Sequence, residues 1–314
     1  MPGPSGPGRL ARSSRGHRGR APGDPKIKGA NPEYRVGHSR MTTLSELTAS
    51  RELLSNLTRR ELKGKYKGST LGWLWSLLNP LATMAIFTVV FRLFLRIDPP
   101  VGEPSGLKNF ALFLLCGLLP WNLLSAGMVN GSGALVANSA IIKKVWFPRE
   151  TIILSTVAAL DVSFLIEMAV LVVALLIVGN MVLPWLPVLV VVLVLLSIFV
   201  LGLSLALSVL NVYFRDVQYL LGIGMQFWFY ATPIVYPASL VPESADVGGM
   251  EIPVRTLYNL NPMVHFINAI RDCLYHLRFP SITSWLVMVG VSAVSLVGGA
   301  LIFRRFTPRL AEEL

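Results

Sequence analysis

The sequence predicts an all-α integral membrane protein. It comprises an N-terminal amphipathic interface helix, six transmembrane helices, and short re-entrant outer helices before the last span. Three observations carry that expectation. Charged residues are sparse at 14%, against 53% hydrophobic and a mean hydropathy of +0.60. Apolar runs recur, each of the roughly 20 residues needed to cross about 30 Å of hydrocarbon. Cations gather at the ends of those runs, where the positive-inside rule puts them.

The chain divides in order. Residues 1–40, rich in Pro, Gly, Ser and Arg, have little to bury and read as a disordered basic tail, with Met41 as an alternative start. They lack the apolar stretch of a signal peptide. Residues 43–67 read as the amphipathic interface helix. Thr43 and Glu46 have capping-box spacing. Leu47, Leu53, Leu54 and Leu57 share one side, facing the lipid boundary, with Glu52, Asn56, Arg59 and Lys63 opposite. The membrane-spanning body, 71–310, holds spans at about 71–91, 110–129, 152–178, 186–210, 219–236 and 284–303. An even count returns both termini to one side, the cytoplasm, as the basic tail at 304–309 suggests. Residues 131–147 form a cytoplasmic segment, and 237–283 an extracellular loop with short helices.

Pro80, Pro120 and Pro233 are expected to kink the first, second and fifth spans. Gly64, Gly68 and Gly72 recur every four residues, either for close backbone approach or as a bend. Asp161 and Glu167 in the third span are costly in lipid. A proton relay, packing, or a pore-lining hydrogen bond would each account for them, with Arg149 or Arg215 as partners for Asp161.

The net charge of +11 lies mostly before residue 68 and at span flanks, so it implies anionic membrane lipid and not nucleic acid. Cys116 and Cys273 imply neither a disulfide framework nor a metal cluster. No phosphate-cradling GxxxxGK[ST] loop is present, so the chain should not hydrolyse nucleotide or hold a cofactor itself. His265, Asp272 and His276 at steps of three and four could suggest a metal or catalytic cluster. The plainer reading is the wet face of an amphipathic helix over 263–278.

The motifs RRELKGKYKGS (59–69), LGWLW (71–75), NP (79–80), IKKVWFPRE (142–150), NVYFRDV (211–217), TPIVYP (232–237) and NLNPM (259–263) stand in order. Together they resemble the type-2 ABC transporter permeases that export polysaccharides and polyol phosphates: O-antigen, teichoic acid and related envelope glycans. The resemblance covers about 45–310. It implies the transmembrane subunit of an exporter, working as a homodimer with two copies of a separate cytoplasmic ABC ATPase that binds ATP and Mg. It places the chain in the plasma (inner) membrane as a multi-pass protein. The substrate implied is a glycan on a polyprenyl-diphosphate lipid, and an Arg-rich, Ala-, Gly- and Val-rich composition favours a galactan-type polymer.

Under that resemblance, Arg51, Arg59, Arg60, Lys63, Lys65 and Lys67 would receive the lipid diphosphate at the entrance. Asn138, Ile141, Lys143 and Lys144 would couple to the ATPase. Trp73, Trp75, Glu167, Gln226, Phe227, Trp228 and Tyr230 are the channel-lining candidates, the aromatics being suited either to stacking on sugar rings or to an interfacial belt. A drug or small-lipid exporter of the same fold, and a membrane-embedded glycan-modifying enzyme using His265, Asp272 and His276, are the alternatives.

Overall fold

The structure, a computed structural model, describes residues 51–65, 67–72, 74–94, 100–144, 147–247 and 250–309. The basic tail, the predicted helix start at Thr43 and Trp73 lie outside them. Helix α1 (Arg51–Lys65) leads through a turn into α2 (Leu74–Thr88), which a π-helical stretch (Val89–Phe94) continues. Then come α3 (Phe110–Ala137), the short α4 (Ser139–Ile142), α5 (Glu150–Ile177), α6 (Leu186–Tyr213) and α7 (Val217–Tyr230). Beyond these lie α8 (Val254–Asn259), α9 (Pro262–Arg271) with a π-helical end, and α10 (Ile282–Phe306). A small antiparallel ribbon, β1 (Ala245–Val247) with β2 (Met250–Ile252), corrects the all-helical expectation for the loop between α7 and α8.

Among the described residues, four helices are long and apolar enough to cross a membrane: α3, α5, α6 with its 3-10 lead-in, and α10. Helix α3 is the hub. Of its most apolar stretch 78% is buried, against 22% for α10. It packs on α5, α6, α7, α9 and α2, so its apolar residues run right round it.

Local chemistry sets the helix starts. The Asn109 side chain accepts from the Leu112 N–H (3.3 Å), and Ser281 from the Ser284 N–H (3.2 Å). Asn261 accepts from Met263 N–H (3.0 Å), with Pro262 in the first turn, where its missing donor costs nothing. Arg304 and Arg305 in the last turn of α10 complement the helix dipole.

Helices α6 and α10 meet backbone to backbone. A Cβ at Gly299 would lie 2.0 Å from the Gly202 carbonyl oxygen, and one at Gly202 2.3 Å from the Ser295 backbone. Gly64, Gly68 and Gly72 have no such neighbours; Gly68 (φ 80°) and Gly72 (φ 49°) form the bend between α1 and α2. Of the two glycine readings, the bend is the one the geometry follows.

Three further expectations change. The leucine side of α1 packs on α5, with Leu57 buried and Leu53 and Leu54 half-buried, so it meets protein and not only lipid. Helix α7 ends at Tyr230, so Pro233 kinks nothing; it lies in the turn that follows. Asp161 accepts from the Ser197 hydroxyl (2.9 Å), while Arg149 donates to the Thr307 carbonyl (2.5 Å) and Arg215 is exposed.

Candidate functional site

At the α1 end of the bundle, the side of α1 away from α5 carries exposed Arg51, Arg59, Arg60 and Lys63. Lys65 closes the helix and Lys67 is exposed in the following turn. Packing of the leucines on α5 leaves Arg51, Arg59 and Lys63 exposed on the rest of the helix. Arg60 pairs with Glu61 (2.9 Å) and also donates to the Asn138 side-chain carbonyl. Asn138 in turn donates to the Ala134 carbonyl (2.9 Å) and sits between α3 and α4. Ile141 is half-buried, and Lys143 and Lys144 are exposed just beyond. Two groups of residues that the sequence keeps far apart therefore meet at one side-chain contact.

The channel candidates do not all converge. Gln226, Phe227 (75% exposed) and Tyr230 (65% exposed) share an open face of α7 with Tyr219, Leu220 and Ile223. Trp228 turns inward instead. Its indole N–H donates to Asn261 (2.9 Å), and its ring meets Trp121 edge-on at 5.9 Å. Trp75, whose indole donates to Ser69 (3.0 Å), and half-buried Glu167 line a separate cavity of about 710 Å³ between α2, α3 and α5.

At the opposite end, the chain after α7 is held by two residues. Asn261 donates to the Ala231 carbonyl (3.2 Å) and to the Thr232 hydroxyl (2.9 Å) while receiving Trp228. Arg271, only 2% exposed, donates to the Pro233 (2.5 Å) and Ile234 (2.7 Å) carbonyls, its guanidinium 3.6 Å from the centre of the Phe113 ring. Gly117 makes room for it, since a Cβ there would lie 2.9 Å from Nη2. Sequence reasoning missed Arg271. The available signal was its place on the wheel, between Ile267, Ile270 and Leu274 on the apolar face.

His265, Asp272 and His276 are engaged separately. The His265 Nε2–H donates to the Asn259 carbonyl (2.9 Å), leaving Nδ1 to accept from Ser284 (3.3 Å). Asp272 pairs with Arg278 (2.6 Å). His276 Nδ1 accepts the Glu103 N–H (3.1 Å). Burial pulls the His276 pKa down to about 4, with the charges of Arg278 and Arg271 acting in the same direction. His265 and Asp272 are buried, so the wet helix face is corrected to a packed one. Among the described residues, these three do not come together as one cluster.

Residues 52–275 match the ABC-2 type transporter family. An O-antigen export system permease protein, RfbA, of Myxococcus xanthus is 32% identical over 270 residues, covering 86% of this chain and 98% of that protein. Another protein of that name from Klebsiella pneumoniae is 33% identical over 266 residues, 84% of this chain and 95% of its own length. A second Klebsiella pneumoniae protein so named is 36% identical over 193 residues, 61% of this chain and 71% of its own length. With its apolar helices, its cationic α1 joined to the α4 turn, and relatives matched over nearly their whole length, this multi-pass membrane chain belongs to the ABC-2 type transporter family, a permease subunit of the kind that associates with an ABC ATPase.

Proposed function

We propose that this chain is the membrane half of an ATP-driven exporter of lipid-linked polysaccharide. Two copies form the translocation path, and two separate cytoplasmic ABC ATPases bind ATP and Mg. The observation that carries this reading is the Arg60–Asn138 contact, which ties the cationic face of α1 to the α4 turn. A polyprenyl diphosphate is a double anion at the bilayer surface, and each exposed cation there contributes about 1 kcal/mol of attraction. Such a headgroup competes with Asn138 for Arg60, so its arrival alters the turn bearing Lys143 and Lys144, where the ATPase would dock. The open aromatic face of α7 offers flat surfaces to sugar rings. The relatives' name, O-antigen export system permease protein, supports a glycan cargo.

In this reading α2 with its π-helical continuation and α7 with the turn after it are the remaining two crossings, giving six. Helix α7 alone, with 14 residues, is about 21 Å long, which suits a broken helix facing a cavity better than one facing lipid. Both termini then face the cytoplasm of a plasma membrane.

The test uses vesicles holding the chain with its partner ATPase. Arg59→Glu combined with Lys63→Glu should lower glycolipid-stimulated ATP hydrolysis more than basal hydrolysis. Equal loss of both would mean damaged assembly and count against an entrance at α1. Outward movement of glycolipid with no ATPase present would overturn the reading, as would an exterior location for Lys65.

A further inference from the structure

Between Trp121 and Ala134, six positions of α3 escape burial: Asn122, Ser125, Ala126, Val129, Asn130 and Gly133. Their steps of one, three and four put them on one stripe of the helix. Two cavities open onto it. The first, about 710 Å³, runs from Trp75 and Pro80 across Asn122, Ser125 and Asn130 to Glu167. The second, about 610 Å³, runs from Asn130 and Gly133 past Gln218 to Glu61 and Asn138. They share Asn130 and Leu160 and so form one trough. From Asn122 to Asn138 it follows about 24 Å of helix, most of a hydrocarbon thickness of about 30 Å.

The polar groups of the stripe differ from the other polar groups inside the bundle. Ser132, Ser155, Ser163, Ser204, Ser208 and Ser292 each donate to a backbone carbonyl. Asn122, Ser125 and Asn130 make no side-chain hydrogen bond to another described residue. Left in lipid, such groups would each cost several kcal/mol. Facing water or a hydroxyl-rich ligand they cost nothing, and amide and hydroxyl groups both donate and accept, as sugar hydroxyls do. Among the described residues the trough's lining includes no Lys or Arg, and its amide and hydroxyl groups suit a neutral sugar.

We propose that Asn122, Ser125 and Asn130 form the stripe that hydrogen-bonds the hydroxyls of a neutral glycan as it passes. The proposal rests on the exporter reading and assigns the cations of α1 to the phosphate and this stripe to the sugars. It is tested in cells expressing the full chain with its ATPase partner, carrying Asn122→Cys, Ser125→Cys or Asn130→Cys. Native Cys116 and Cys273 are both buried, and Leu124→Cys, on the fully buried side of α3, is the control.

A charged, hydrophilic thiol reagent should label the three stripe variants at least tenfold faster than Leu124→Cys. Labelling should slow at least threefold while glycan is being exported, relative to cells in which its synthesis is switched off. No labelling, or equal rates with and without glycan, would overturn the proposal. Spontaneous disulfides between two copies would also overturn it, by making the stripe a helix–helix interface. These failures would sink the stripe alone. Unchanged surface glycan on removing the whole chain would sink the exporter reading and this proposal with it.

Discussion

Replacing Arg271 by alanine tests whether a buried cation holds the chain beyond α7. The guanidinium makes two hydrogen bonds and one ring contact, and it is 2% exposed. Bonds from a charged donor contribute about 1.5–3 kcal/mol each, and a desolvated cation–π contact about 2 kcal/mol. Removing the side chain also relieves several kcal/mol of desolvation, so the net loss is below that sum. What remains is set by the Pro233 and Ile234 carbonyls, which cost about 1–3 kcal/mol each when left without a donor.

We expect a net destabilisation of about 2–4 kcal/mol, or a melting temperature lower by roughly 3–6 °C. The assay is thermal unfolding of the purified full-length protein, with Cys116 as reporter. That thiol is fully buried and lies within electrostatic reach of the guanidinium, so the void should expose it to a small thiol reagent. A melting temperature within about 1 °C of the parent, with Cys116 still inert, would refute the bracing role.

Gly299→Ala should destabilise by about 1–3 kcal/mol or more, because its Cβ would meet the Gly202 carbonyl at 2.0 Å. The adjacent Gly298→Ala, with nothing within 4 Å, should leave the melting temperature nearly unchanged. Asn138→Ala should shift stability by less than about 1 kcal/mol, as the contact with Arg60 is exposed, yet reduce glycolipid stimulation of the partner ATPase. The His276 pKa lies below its ordinary 6.5, at about 4, so the fold favours the neutral ring. Its contribution is complete above pH 6.5 and is lost as pH falls through 4, because protonated Nδ1 no longer accepts the Glu103 N–H. The melting temperature should therefore drop less between pH 7.5 and pH 4 in His276→Asn, whose side-chain oxygen keeps the acceptor, and an equal drop would argue against it.

Hydropathy made the helical class and four long helices legible, since apolar length is written directly in composition. The cationic side of α1 was equally plain from its period. The end of α7 was not. Residues 231–236 remain apolar while the backbone leaves the helix, and hydropathy does not register that change. Pro233 cannot continue the helix, and side-chain wiring from Asn261 and Arg271, residues roughly thirty to forty positions later, holds the turn that follows. The inward turn of Trp228, named with Phe227 and Tyr230 as a channel-lining candidate, was illegible for the same reason, because its partner Asn261 is remote in sequence. Arg60 was assigned to the headgroup by the resemblance and by its charge, and its contact with Asn138, 78 residues away, carries no local signature.

The contact between Gly202 and Gly299 limits how the bundle can move. Where two backbones touch, no rotamer is available to change and no side chain can slip past another. Helices α6 and α10 must therefore travel as one beam, anchored by Ser292 and Ser295 to the carbonyls of Leu195 and Phe199. Any rocking of the bundle then falls to the helices outside this pair, while the pair keeps its shape.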